Sequence, residues 1–186
     1  DPVPVPHVLA ASTDISKVVR MDYGSDVLYT EMARRAIAGW ETWNAQWERP
    51  LFHRDGFLIL TREPEMPAGG FEQASFTLLT KRGLPLQRIR RAELAKRFPA
   101  WNAAHYGDGY FNPLAGWAES GAVVSKLAQL CRQRGVNLHE RAPFAGFLER
   151  GSAVCGVRDQ LGGQHLADFV LLAVGAWTPF LLPDLK

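Results

Sequence analysis

Two cations near the amino terminus are the side chains of this sequence best suited to chemistry. Lys17 and Arg20 stand three residues apart. Three hydroxyl side chains precede them, those of Ser12, Thr13 and Ser16. On a helical turn this spacing would send both cations to the same side. Such a pair either binds an anion or forms a solvated surface, and composition by itself favours the solvated surface.

Other common catalytic chemistries lack the side chains or spacings that they need. The five histidines show no metal-ligand spacing, and no cysteine joins them. The sequence contains no Gly-x-Ser-x-Gly nucleophile elbow and no Walker loop. Its two cysteines, Cys131 and Cys155, indicate a reducing compartment and small buried side chains rather than a disulfide framework. A metal site is therefore not expected.

Composition narrows the class of protein further. The chain has 186 residues, of which 47% are hydrophobic and 22% charged, which is enough for a globular domain with a core. The net charge is +2 with both signs mixed along the chain, so nucleic acid is not an expected partner. No apolar run approaches the roughly 20 residues of a membrane span, so a membrane is not expected either.

The segment 168–178 organises the predicted fold. It opens with an acid, continues through a run of apolar residues and ends in small residues around Gly175. A continuous apolar run of this kind predicts a strand buried on both faces of a parallel sheet. Small residues at the carboxyl end of such a strand let a ligand approach the backbone. A core strand followed by an ordinary turn explains the segment equally well.

Periodicity predicts the remaining elements. Helices are expected where apolar residues recur every three to four positions, at 23–47, 71–82, 92–97 and 119–135. Strands are expected at 57–60, 87–90, 136–139, 143–148, 153–157 and 164–166. Ser120 and Gly135 are the predicted caps of the last helix, and the tryptophans of the first helix are expected in the core. The order of elements after 116 is typical of half a doubly wound nucleotide-binding sheet.

Several segments, taken in order, resemble the FAD-dependent amine oxidases, which include monomeric sarcosine oxidase, the saccharopine and pipecolate oxidases and the fructosyl amino-acid oxidases. The matching segments are 12–24, 109–121, 134–136, 156–158 and 167–178. The resemblance implies an α/β (α+β) fold, with part of a Rossmann-like FAD-binding domain at 1–48 and 116–186. Residues 49–115, where short elements alternate with helix and strand breakers, would be an inserted mixed subdomain for substrate.

The resemblance also bears on the two ends of the chain. In the family a Gly-x-Gly-x-x-Gly motif comes first, and the next strand ends in an acid that binds the adenosine ribose. Asp1 resembles that acid. The chain therefore resembles a fragment that lacks the glycine motif and the carboxyl-terminal part of the family. A non-catalytic fragment that keeps the fold without FAD is one alternative reading.

The family implies an activity and a set of site residues. FAD would oxidise the C–N bond of a secondary amine or N-substituted amino acid to an imine, and O2 would be reduced to H2O2. Arg20 matches the residue that holds the substrate carboxylate, and Lys17 the basic residue over the flavin ring. The implied FAD contacts are Asp1, Ser12, Thr13, Ser16, Lys17, Phe144, Gly175, Ala176 and Trp177. A dehydrogenase that passes electrons to another acceptor is a second alternative. The expected compartment is the cytoplasm, or the peroxisome if a targeting signal follows.

Overall fold

A computed structural model describes residues 1–182, which fall into two units. The central unit consists of residues 11–126, and the terminal unit combines residues 1–10 with the chain from 127 onward. The helices are α1 (Val27–Gln46), α2 (Phe71–Lys81), α3 (Arg91–Arg97), α4 (Ser120–Gln133) and α5 (Thr178–Leu181). The boundary between the units lies within α4.

In residues 1–182 the strands form three antiparallel sheets of three strands each. Those of the central unit are β1 (Lys17–Val19), β2 (Phe52–His53), β3 (Phe57–Thr61), β4 (Gln87–Arg88), β5 (Asp108–Asn112) and β6 (Gly116–Ala118). One of its sheets has the order β1–β6–β2 and the other the order β3–β5–β4. In the terminal unit, β7 (Phe144–Arg150), β8 (Ala153–Asp159) and β9 (Gln164–Leu166) follow one another in the third sheet.

The core of the central unit joins the first sheet to the first two helices. Its buried members are Met21, Ile37, Phe52 and Leu79. Ala33 and Trp40 of α1 pack against this cluster. The prediction of core tryptophans therefore holds for Trp40, whereas Trp43 and Trp47 stack on each other with ring centroids 5.2 Å apart and are not part of the cluster. The apolar periodicity that predicts this helix also includes Val27 and Met32, but both of these are more than half exposed. The buried positions of α1 are instead Thr30 and Ile37.

Helix α1 begins after a capping residue, Asp26. The carboxylate of Asp26 accepts a hydrogen bond from the backbone N–H of Tyr29 at 2.8 Å, and its carbonyl accepts from the hydroxyl of Thr30 at 2.6 Å. The side chain therefore satisfies one of the N–H groups that a helix leaves without an internal partner.

Replacing Asp26 by alanine is expected to lower the free energy of unfolding by about 1 kcal/mol, because that N–H group then loses its acceptor. Urea unfolding followed by circular dichroism measures the change. Asp26→Asn keeps an acceptor oxygen and serves as the control, with a change of a few tenths of a kcal/mol. Equal losses in both variants would contradict the capping role.

The second sheet of the central unit contains a buried ion pair. Asp108 on β5 is 1% exposed, and its carboxylate binds the guanidinium of Arg88 on β4, with 2.6 Å between Oδ1 and Nε. The backbone N–H of Met66 donates to the same carboxylate at 2.8 Å. Burial by itself raises the pKa of Asp108, but the hydrogen bonds from Arg88, Met66 and Gly109 outweigh burial, and the pKa lies below its ordinary value.

Asp108 is therefore expected to make folding sensitive to acid. A carboxyl whose pKa is lowered by folding contributes its full stability above the unfolded pKa, 3.8, and loses it as pH falls through the folded pKa. At pH 7, Asp108→Asn is expected to cost about 2–3 kcal/mol, less than a fully buried pair because Arg88 is partly exposed. This difference from the wild type should shrink as pH falls below about 4. Urea unfolding between pH 7 and pH 3 measures it, and a constant difference would contradict the assignment.

The terminal unit confirms the predicted hairpin near the carboxyl end. β8 pairs with β9 so that Gly156 faces Leu166 and Arg158 faces Gln164. The carboxylate of Asp159 closes the turn by accepting hydrogen bonds from the backbone N–H groups of Leu161 and Gly163 at 2.8 and 2.9 Å. The imidazole of His165 and these N–H groups lower the pKa of Asp159.

The predicted organising strand at 168–174 is wrong in this structure. These residues form neither helix nor strand, and Phe169 and Leu171 are 94% and 90% exposed. An apolar strand buried on both faces needs a neighbour on each edge. Within residues 1–182 the third sheet ends at β9, and no strand pairs with the segment. A 3₁₀ turn at Gly175–Trp177 follows, then α5.

The structure also tests the strand predicted at 136–139 and the two predicted caps of α4. Residues 136–139 form no strand, and the carbonyl of His139 instead accepts a hydrogen bond from the amino terminus. Ser120 is the first residue of α4 rather than its cap, and its hydroxyl donates to the carbonyl of Asp14 at 2.7 Å. Gly135 ends that helix as predicted, in the left-handed region with φ of 81°.

Candidate functional site around Arg20

Backbone alternation places the Arg20 side chain. Val19 is the last residue of β1 and packs on the core, and Met21 is almost fully buried. Because successive side chains of an extended chain point to opposite faces, Arg20 between them points away from this core.

Three aromatic rings surround the guanidinium of Arg20. Its central carbon lies 5.3 Å from the ring centroid of Tyr23, and 5.7 Å from the centroids of Phe57 and Phe71. We call these four residues the Arg20 cage. One further contact is polar: Nη1 donates a hydrogen bond to the backbone carbonyl of Asp22. No carboxylate in residues 1–182 forms an ion pair with Arg20, so the cage holds the cation by ring faces without neutralising it.

A buried polar network lies behind the cage. The carboxylate of Asp22 is fully buried and accepts hydrogen bonds from the phenol of Tyr110 at 2.8 Å and from the amide of Asn112 at 3.0 Å. Both donors stand on β5 two residues apart, and therefore on one face of the strand. Burial, followed by the charge of Asp22, raises the pKa of Tyr110 far above its ordinary value. The phenol consequently remains a neutral donor at every physiological pH.

The surface beside the cage is apolar and open. Tyr23 and Phe71 are 38% and 47% exposed, and Tyr29 on the first turn of α1 is 56% exposed. The rings of Tyr23 and Tyr29 lie 5.7 Å apart. A cation next to exposed aromatic rings suits an anion that carries an apolar body.

Lys17 lies on a different face of the chain from Arg20. It belongs to β1 and pairs with Ala118 of β6, so the two cations do not share a helical turn. In an extended chain an odd spacing sends two side chains to opposite faces. The ammonium of Lys17 forms an exposed ion pair with Asp14.

The hydroxyl segment before β1 has a composition that fits a flavin nucleotide. Ser12 and Ser16 are exposed and Thr13 is half-buried, so hydroxyl donors reach the surface. Between and after them, Ile15 and Val18 are 92% and 55% exposed. Hydroxyls suit a pyrophosphate and the exposed aliphatic side chains suit a flat apolar ring, so the donor set of this segment fits both parts of FAD.

The terminal unit holds the other predicted cofactor residues. The backbone of Asp1 lies against residues 139–142: its amino group donates to the carbonyl of His139, and its carbonyl accepts from Ala142 N–H, each at 2.9 Å. Phe144 begins β7 and forms an edge contact with Phe147, with ring centroids 5.1 Å apart.

The glycine-rich end of the predicted organising segment lies in the same unit. Gly175, in the left-handed region with φ of 53°, and Ala176 are exposed. The ring of Trp177 lies 5.8 Å from that of His7, so the segments near the two ends of the chain meet there. Gly175 has open space where a Cβ would stand, which suits a ligand that approaches the backbone closely.

Sequence reasoning missed most residues that hold Arg20. Asp22 stands 88 residues from Tyr110 and 90 from Asn112, so no local pattern links them. One signal was present, since Asp108, Tyr110 and Asn112 alternate along the chain as the residues of one strand face do.

Comparison with solved structures shows that this fold is shared with a known oxidase structure. A modified fructosyl peptide oxidase from Aspergillus nidulans superposes with a TM-score of 0.80 over 96% of this chain and 43% of that chain, at 20% identity. This confirms the predicted fold class. In residues 1–182, no helix is both long and apolar enough to cross a membrane.

The sequence itself carries the family assignment. Residues 7–186 match the model of the FAD dependent oxidoreductase family, and the chain belongs to this family. Amino acid oxidase imqH of Aspergillus flavus is 27% identical over 95% of this chain and 43% of its own length. N-methyl-L-tryptophan oxidase of Salmonella arizonae is 25% identical over 97% of this chain and 47% of its own. The chain thus spans less than half the length of these relatives, and the predicted resemblance is confirmed.

Proposed function

We propose that the full-length protein is an FAD-dependent oxidoreductase that oxidises the C–N bond of an N-substituted amino acid to an imine. Membership of the family supports the cofactor and the class of reaction. The observation that carries the substrate class is the guanidinium of Arg20, which is held by three ring faces and paired with no carboxylate of residues 1–182.

Arg20 binds the carboxylate of the substrate in this proposal. A guanidinium presents two parallel N–H groups that match the two oxygens of a carboxylate. The cage fixes the plane of the guanidinium and leaves its charge available. The relatives named amino acid oxidase and N-methyl-L-tryptophan oxidase are consistent with a substrate that has this group.

The predicted cofactor contacts keep their roles in this proposal. When bound, FAD would supply the hydride-accepting chemistry for oxidation of the C–N bond. Lys17 supplies positive charge beside the flavin ring, and Ser12, Thr13 and Ser16 donate hydrogen bonds to it or to the pyrophosphate. The remaining contacts are Asp1, Phe144, Gly175, Ala176 and Trp177.

The proposal assigns each part of the chain to a domain of the full-length protein. Residues 1–48 and 116–186 belong to its FAD-binding domain and 49–115 to its substrate domain. O2 is the proposed electron acceptor and H2O2 the product.

The visible absorption spectrum of the purified full-length protein tests this function. We expect the two flavin bands, their bleaching by N-methyl-L-tryptophan or sarcosine without oxygen, and one peroxide per amine oxidised when oxygen is admitted. Bleaching without peroxide on reoxidation would replace the oxidase by a dehydrogenase. A folded, colourless protein that ignores added FAD would contradict the proposal.

A further inference from the structure

Asp22 carries a buried carboxylate that is bound by neutral groups. Its side chain is fully buried, and its two oxygens accept hydrogen bonds only from neutral donors, the phenol of Tyr110 and the amide of Asn112. The other buried carboxylate of the central unit, that of Asp108, pairs with an arginine. Within residues 1–182, Asp22 forms no ion pair.

Stability is a weak explanation for this arrangement. An ionised carboxylate loses its hydration when it is buried, and two neutral hydrogen bonds return only part of that loss. An apolar side chain of similar volume would suit a buried site better. A role other than general stability therefore has to account for the charge.

The backbone of Asp22 supplies a link to Arg20. Its carbonyl accepts a hydrogen bond from Nη1 of Arg20. The side chain of the same residue is anchored on β5 by two hydrogen bonds, of 2.8 and 3.0 Å. A single residue, Asp22, therefore connects the guanidinium of Arg20 to β5 and fixes its position relative to that strand. The acceptor of this hydrogen bond is a neutral carbonyl and not a carboxylate. The bond therefore fixes the position of the Arg20 guanidinium without neutralising its charge, which can still bind an anionic ligand.

We propose that Asp22 is a positioning residue for the recognition of the substrate carboxylate: its buried side chain, held by Tyr110 and Asn112, fixes the carbonyl that orients Arg20. The inference rests on the proposed function of Arg20. Asp22 touches no substrate and acts only through the guanidinium.

The test compares two isosteric changes in the full-length, FAD-loaded protein. Asp22→Asn replaces one acceptor oxygen of the carboxylate by an NH2 donor. This donor then faces the phenol of Tyr110 or the amide NH2 of Asn112, and the backbone around residue 22 is displaced. Asp108→Asn makes the same chemical change at an equally buried site of the same unit, without contact with Arg20. Each variant is assayed with N-methyl-L-tryptophan and with N-methyltryptamine, which lacks the carboxylate.

The preference for the carboxylate is the kcat/KM for N-methyl-L-tryptophan divided by the kcat/KM for N-methyltryptamine. Asp22→Asn is expected to lower this ratio by roughly tenfold to a hundredfold, because the guanidinium that binds the carboxylate is misplaced. The change should appear mainly as a higher KM for the amino acid. Asp108→Asn should lower the melting temperature but leave the ratio unchanged. Tyr110→Phe, which removes one donor and keeps the charge, should lower the ratio less and serves if Asp22→Asn does not fold.

Arg20→Met separates failure of this inference from failure of the proposed function. If Arg20→Met abolishes the preference for the carboxylate while Asp22→Asn and Tyr110→Phe retain it, only the positioning role is overturned. If Arg20→Met also retains the preference, or if the full-length protein oxidises neither compound, the proposed function fails and the inference fails with it.

Discussion

Arg20→Met is expected to lower kcat/KM for N-methyl-L-tryptophan by roughly 30-fold to 4,000-fold in the full-length protein, which corresponds to about 2–5 kcal/mol for removing one partner of a charged hydrogen-bonded pair. Methionine keeps an unbranched apolar chain that can still pack against the three rings of the cage. The change therefore removes the charge and the N–H donors while it preserves much of the packing. Initial rates over a range of substrate concentrations separate KM from kcat, and the larger change is expected in KM.

Two controls sharpen this result. Arg20→Lys keeps the charge without the planar pair of donors, and should restore part of the lost affinity. Arg54→Met removes an arginine whose partner is the exposed Glu41, at 2.6 Å, and should leave the kinetics unchanged. A full-length Arg20→Met protein that keeps KM within about twofold would contradict the binding role of Arg20, because a charged pair contributes far more than this.

Gly116→Ala is expected to destabilise the protein by at least about 2–3 kcal/mol, a typical cost of overpacking. Gly116 lies on β6, the middle strand of the first sheet, where Val19 of β1 is its partner. A Cβ at this position would overlap the backbone carbonyl oxygen of His53 on β2. Backbone atoms cannot rotate away as a side chain does, so β2 has to separate from β6.

The measurement for Gly116→Ala is the melting temperature, which should fall by about 5–10 °C for a protein of this size. Gly39→Ala is the matched control: this glycine lies inside α1, and a Cβ there would meet nothing within 4 Å. It should raise stability by about 0.5–1 kcal/mol, because alanine loses less backbone entropy in a helix. Equal melting temperatures for Gly116→Ala and the wild type would show that β6 can move without cost.

Local physical chemistry explains which elements the sequence predicts correctly. Helix α2 has regular apolar spacing between glycine-containing turns, and the β8–β9 hairpin has its turn residues within the segment itself. The sequence signals for these two elements lie within the segments themselves, so a local pattern is sufficient to find them.

Where an element depends on contacts with residues far away in the sequence, its prediction was missing or wrong. No strand is predicted over residues 107–117, where β5 and β6 lie. The three glycines of this segment stand where neighbouring backbones approach closely: Gly107 beside Glu63, Gly109 beside Ile59 and Gly116 beside His53. The segment 168–174 shows the opposite error. Its apolar composition suits a central strand, but strand formation depends on neighbours that residues 1–182 do not provide.

The residues of the candidate site also differ in whether the sequence predicts them. Arg20 was identified by its resemblance to a family motif, and its anchoring through Asp22 was not identified, because the donors lie on a strand that no local pattern connects to it. The spacing of Lys17 and Arg20 would place both side chains together only on a helical turn, and the pairing of Val18 with Trp117 makes the segment a strand instead.

The separation between Asp22 and Tyr110 has a consequence for biosynthesis. A ribosome adds about 5–20 residues per second, so the 88 positions between them take roughly 4–18 seconds to appear. Throughout that interval the nascent chain already carries Asp22 and Arg20, while the strand that holds Asp22 does not yet exist. The amino-terminal sheet cannot close earlier either, because β1 pairs with β6. Slowing translation after residue 126 would thus give the central unit time to assemble before the remainder of the terminal unit is synthesised.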